Sequence, residues 1–338
     1  MSRAARTAVV AVAALSLATL AGCTTEDDGE VLKVYSGRHY DVEKAFTRFE
    51  EETGIDVEFL TGNDNELRER IAAEGEDTEA DVYLTVDAGN LASAAEDGLF
   101  QALPSEQLRD VIPENYRDPE DRWFGLAIRA RTIIYNTEAL EETDAPTTYE
   151  EVADPAWEGR VCLRNANNPY QQSLVASMIA VHGEDETLQI LEGWQRNAEI
   201  FANDVEIIEA LAAGACDVAI TNHYYLARAL EEDPDLPVDL VWANQEDRGV
   251  HINISGGGIT RYADDPALGR RFLEWLGTEG QDVLVATNHE YPANADVPAE
   301  PLISEEFGTD FVRQDVSASE FGQLNADAVR LMDEADFG

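Results

Sequence analysis

Residues 30–62 read EVLKVYSGRHYDVEKAFTRFEEETGIDVEFLTG, and their reading decides the fold. Val31, Leu32 and Val34 make a short apolar strand that stops at Gly37. Val42, Ala45, Phe46 and Phe49 then recur at helical spacing, with Gly54 just past the end, where a left-handed cap suits it. IDVEFLTG follows as a second strand. The pattern repeats downstream: NDNELRERIAAEG is a helix with a polar N-cap, ADVYLTVD a strand ending at Asp87, and AGNLASAAEDG another helix. Strand–helix units in series predict an α/β fold with a parallel sheet wrapped by helices. Ligands of such sheets sit beyond the carboxyl ends of the strands. Arg38, His39, Tyr40 and Asp87 all lie at such ends.

Further along, WFGLAIRARTIIYNTEAL is a long strand carrying Arg129 and Arg131, and VHINISGGGIT is a second one with three glycines. Long strands midway along such a chain serve as hinge connections, here placed near residues 127–135 and 253–259. Between them, GRVCLRNANNPYQQSLVASMIAVHG and CDVAITNHYYLARAL repeat the order strand, polar turn, helix. The remainder reads as helical, with no internal repeat and no internal membrane span.

The first residues, MSRAARTAVVAVAALSLATLAGC, have a basic head, an apolar stretch too short to cross a bilayer, and a small-residue site before Cys23. That is a secretory signal over residues 1–22, and it resembles the lipobox of bacterial lipoproteins. The resemblance implies cleavage before Cys23, a lipid on its sulfur, and a position on the outer face of the cell membrane. Residues 23–30 then form an acidic tether. The rest exceeds one compact core, so two lobes are expected. The chain of 338 residues has 69 acidic against 23 basic side chains, a formal charge of −46, with Lys33 and Lys44 its lysines. Such a surface repels nucleic acid and anionic lipid, which excludes nucleic-acid binding. It suits salty media and also gathers cations. After Cys23, Cys162 and Cys216 remain, an even pair outside the cytoplasm that reads as one disulfide or two buried thiols.

Tyr40, Tyr170 and the tandem Tyr224-Tyr225 each fall just after a strand, where a helix begins and its free N–H groups face the cleft. A single buried tyrosine is ordinarily a core filler. Several at one place are a donor set. Phenols lose their protons near pH 10 in water, but a small trivalent cation stabilises the phenolate at neutral pH. Phenolate oxygen is a hard anionic donor that suits ferric iron, whereas calcium favours carboxylates and carbonyls, and zinc favours Cys and His. Neither CxxC, HExxH nor EF-hand spacing is present, and without a GxSxG elbow or metal-hydrolase motif an enzyme is not expected.

The segments YSGRHY, DVYLTVDAGNL, RARTIIYN, TTYEEVADPAWEGRVCLRNANNPYQQSLVAS, CDVAITNHYYLAR, NISGGGIT and EYPAN resemble the ferric-iron-binding proteins of bacterial iron ABC importers. The subgroup they are most similar to is the FutA-like one of cyanobacteria, and the resemblance covers nearly all the chain from Val31. It implies the two-lobed type II periplasmic-binding-protein fold, each lobe a mixed, mainly parallel sheet flanked by helices and joined by hinge strands. It places residues 31–127 with about 256–305 in one lobe, and about 128–255 with 306–338 in the other. It implies His39, Tyr40, Tyr170, Tyr224 and Tyr225 as iron ligands. Some relatives use an acidic ligand where Asp87 stands, or a carbonate held by Arg. Here Asp87 is expected to be structural or a helix cap, and Arg38, Arg129 and Arg131 are candidates to balance phenolates or hold an anion. Asn222 is read as a cap, while the role of His223 stays open. The expected function is ferric capture by hinge closure and delivery, by a monomer, to a membrane permease and its ATPase. The alternative keeps the fold but takes an organic cation, a polyamine or an iron chelate in an aromatic box.

Overall fold

The computed structural model describes residues 30–38 and 41–338. The signal, Cys23 and the acidic tether up to residue 29, together with His39 and Tyr40, lie outside the described residues. The chain begins with β1 (Val31–Ser36), α1 (Glu43–Thr53), β2 (Asp56–Thr61), α2 (Asp64–Glu74), β3 (Val82–Thr85) and α3 (Ala88–Glu96). Gly54 ends α1 with φ of 74°, a left-handed conformation in which a Cβ would be strained. A short helix, α4 (Glu106–Val111), leads to β4 (Phe124–Asn136), whose 13 residues are all buried. Next come β5 (Val161–Arg164), α5 (Pro169–His182), α6 (Glu184–Asn197), β6 (Ala198–Phe201), α7 (Asp204–Ala212), β7 (Val218–Asn222), α8 (His223–Glu232) and β8 (Val238–Val241). Then β9 (His251–Ile259), α9 (Pro266–Gly277), α10 (Gln281–Ala286), β10 (Tyr291–Pro292), α11 (Pro301–Glu306) and α12 (Ala318–Glu334) complete it.

All ten strands join one curled sheet in the order β2-β1-β3-β9-β4-β7-β5-β6, with β8 and β10 also on β4. The outer pairs β1–β2, β1–β3, β5–β6 and β5–β7 are parallel, as strand–helix units require. Every pairing of β4 and β9 is antiparallel. These two long strands are the middle of the sheet and connect its halves, giving the two-lobed type II binding-protein fold. The glycines of NISGGGIT let β9 fit between its neighbours. A Cβ on Gly256 would stand 2.4 Å from the Phe124 carbonyl oxygen, and one on Gly258 would stand 2.4 Å from that of Arg122.

Each half has its own aromatic core. In the first, Phe49 meets Phe272 edge-on at 5.0 Å and Trp275 at 5.3 Å. In the second, Trp194 lies against Phe337, and a disulfide joins Cys162 of β5 to Cys216 just before β7. The last helix, α12, packs on α3 of the first half and on α5 and α6 of the second. Gly322 permits the first contact, since a Cβ there would fall 2.6 Å from that of Ala92. Among the described residues no helix is long and apolar enough to cross a membrane.

Candidate metal centre

Two helix starts carry the tyrosines. The Asn168 side chain caps α5, accepting from the N–H groups of Tyr170 at 2.9 Å and Gln171 at 3.4 Å, and Pro169 takes the first helical position. Tyr170 is thereby held on the first turn, at the end of β5. At the other start β7 runs into α8 without a loop, so Tyr224 and Tyr225 also lie on a first turn. Asn222 occupies the cap position, but its side chain makes no capping bond; its amide reaches the Tyr224 hydroxyl at 3.5 Å. Tandem residues on a regular helix diverge by about 100°. Here the two rings nonetheless lie together, with centroids 4.3 Å apart. The Tyr170 and Tyr224 phenols act on each other electrostatically, so three phenols from two helices form one cluster.

His223 is not a donor to that cluster. It is fully buried, its Nδ1 accepts the Ala130 N–H at 3.2 Å, and its Nε2 donates to the His289 carbonyl at 3.0 Å. Burial above all, with nearby Arg129, pushes its pKa down to about 3, so the ring stays neutral with its nitrogens engaged. It serves as a floor, with Tyr224 edge-on at 6.1 Å and Tyr291 at 4.9 Å.

Tyr170 and Tyr224 are held neutral by their surroundings. Burial, then Tyr170 and Tyr225, raises the Tyr224 pKa well above that of a free phenol; burial also raises Tyr170, against the opposing pull of Arg129. An entering cation has to displace those protons, and a highly charged ion does so best. Arg129 lies with its guanidinium 4.9 Å from the Tyr170 ring centre, a cation–π contact. Burial opposes its charge, but Tyr170, Glu290, Tyr224 and Asp87 outweigh that and hold it protonated. Arg38 pairs with Glu290, and its other nitrogen donates to the Leu284 carbonyl at 2.6 Å. Arg131 is committed elsewhere: it bonds Asp204 at 2.9 Å and Gln171 at 3.2 Å, and Asp204 also takes Arg164. It therefore ties α5 and α7 to β4.

Asp87 caps α3, accepting from the Asn90 N–H at 3.0 Å, and takes a second bond from Asn253 at 2.8 Å. Its oxygens are engaged in structure. Glu290, Asp64 and Asp204 escape sequence reading. Glu290 stands in the EYPAN segment with nothing local to mark its partners, and Asp64 reads as one more acid in a helix start. Among the described residues no group of three or more His, Cys, Asp or Glu side chains could hold a metal.

Residues 77–314 match the model of the family described as bacterial extracellular solute-binding protein. The chain belongs to that family. The solute-binding proteins it resembles include iron uptake protein A1 of Synechocystis sp., 40% identical over 92% of this chain and 88% of that one. The Fe(3+)-binding periplasmic protein of Serratia marcescens is 27% identical over 96% of both chains. Among solved structures, Trichodesmium FutA in complex with iron and citrate ligands superposes with a TM-score of 0.86, at 38% identity, over 91% of this chain and all of that one. A solute-binding protein of this family captures and delivers; it is not an enzyme.

Proposed function

We propose that this solute-binding protein captures ferric iron outside the cytoplasm and delivers it to an ABC-type permease and its ATPase in the membrane. The observation that carries the reading is the cluster of Tyr170, Tyr224 and Tyr225 beside the buried Arg129. Its donors are hard, become anionic only under a strong positive charge, and have a permanent cation next to them. Iron-named relatives support the same cargo. His39 and Tyr40, on the segment leaving β1, complete the ligand set in this reading. The lobes divide at about residues 127–128 and 255–256, return to the first lobe until about 305, and close on the ion, which makes the closed state the stable one.

A cavity of about 430 Å³ adjoins Tyr170, lined by the starts of α2 and α5 at Asn63 and Asn168. In this reading a small anion such as carbonate, balanced by the arginines beside the phenols, travels with the iron. The protein acts as a monomer, tethered by a lipid on Cys23. The test is titration of the full chain with ferric citrate, followed by visible absorbance. Wild type is expected to develop a ferric–phenolate band, and Tyr224→Phe with Tyr225→Phe to lose band and iron together with the fold intact by circular dichroism. Tight, colourless binding by the wild type would instead favour an organic cargo.

A further inference from the structure

Glu290 is fully buried and has no place in the ligand set proposed above. Its backbone is fixed, because its N–H donates to the Val285 carbonyl at 3.1 Å and the next residue, Tyr291, pairs with Ile128 of β4. One carboxylate oxygen accepts from Arg38; the other accepts from the Asn288 amide at 3.2 Å and stands 3.7 Å from Nε of Arg129. Arg38 leaves the end of β1 beside His39, and Arg129 lies under the Tyr170 ring. One carboxylate thus gathers two guanidiniums from distant segments, and the three groups together carry a net single positive charge beside the phenols. Asp64 and Asp87 also act on this region, from the first half of the molecule.

We infer that Glu290 is a positioning residue that sets the redox preference of the cleft: it holds Arg38 and Arg129 in place and cancels one of their charges, so that bound iron stays ferric. The inference rests on the ferric reading of the site and deepens it. Reduction adds one electron to the bound ion, and every positive charge nearby favours the reduced form. A site with both arginines and no Glu290 charge would bind ferrous iron better relative to ferric. For one unit charge about 10 Å away at an effective dielectric near 20, the ratio of the two affinities changes by about tenfold.

The experiment uses the iron-loaded full chain as wild type, Glu290→Gln, Arg38→Gln and the double variant. The potential of the bound iron is measured by mediated potentiometry, read from bleaching of the visible band. Glu290→Gln is expected to move the affinity ratio about tenfold toward ferrous iron, and Arg38→Gln about tenfold the other way. The double variant, whose net charge is that of wild type, is expected to return close to the wild-type value. A purely structural role predicts instead that the double variant is displaced at least as far as the worse single one, and that result overturns the inference. So does one common potential for all four proteins. Should Glu290→Gln fail to fold, Arg38→Gln against the double variant decides by itself. A wild type that takes up no coloured iron would overturn the ferric reading and this inference together.

Discussion

His251 is buried at the end of a chain of polar side chains that runs beneath the site. Asn253 donates to Asp87 at 2.8 Å and to the Ser173 hydroxyl at 3.0 Å, and that hydroxyl stands 3.0 Å from Nε2 of His251. Burial first, and Arg131 next, push the imidazole down to about 3 from an ordinary 6.5. Between those values the unfolded chain binds a proton that the folded one refuses, so stability is complete above about pH 6.5 and is lost as pH falls toward 3. His223 acts with the same sign. Urea unfolding of the iron-free protein at pH 7, 6 and 5 is expected to show that His251→Gln loses less stability toward acid than the wild type does, so that the gap between the two curves changes with pH; parallel curves would refute this. The tyrosines were legible in the sequence because their chemistry is their own and their spacing marks helix starts. His251 and Glu290 were not, since what matters about them is a partner far along the chain, as with Arg38 and Glu290, 252 residues apart.

At the scale of elements, the end of β1 and the start of α2 are fitted to each other at a single point. An ideal Cβ on Gly37 would stand 1.5 Å from an oxygen of Asp64, the first residue of α2. Asp64 cannot readily turn away, since its other oxygen accepts the Val86 N–H at 3.3 Å. Burial pushes this carboxyl up to about 7, and its facing oxygen has no hydrogen-bond partner. Gly37→Ala is expected to destabilise the protein by about 1–3 kcal/mol and to weaken ferric uptake, because the segment that follows leads to His39 and Tyr40. Adding Asp64→Ala is expected to restore part of both, measured by thermal unfolding and iron titration. An unaffected single variant would show that the segment yields freely. The strands and helices around this point follow from apolar spacing together with the Gly37 stop, the Gly54 cap and the polar start of α2, all of which are local signals. The place of β9 does not, because a strand between β3 and β4 is specified by its neighbours and by the glycines that let them approach.

For the molecule as a whole, the two halves differ in what holds them. The second has a covalent tie between Cys162 and Cys216, closing a segment of 54 residues. In the chain-entropy picture that closure contributes about 4 kcal/mol, so Cys162→Ser with Cys216→Ser is expected to lose about that much. Denaturation with and without reductant checks it: the wild type should respond to reductant and the double variant should not. The first half has no such tie among the described residues, and its sheet depends on the rest of the chain. Val82 of β3 finds its partner in Ile259 of β9, which also pairs along β4. Until that late strand has been made, β3 has a bare edge and neither half is finished. Folding therefore cannot run to completion from the amino end, and seating β9 between two waiting strands is the natural slow step, since distant pairings form last.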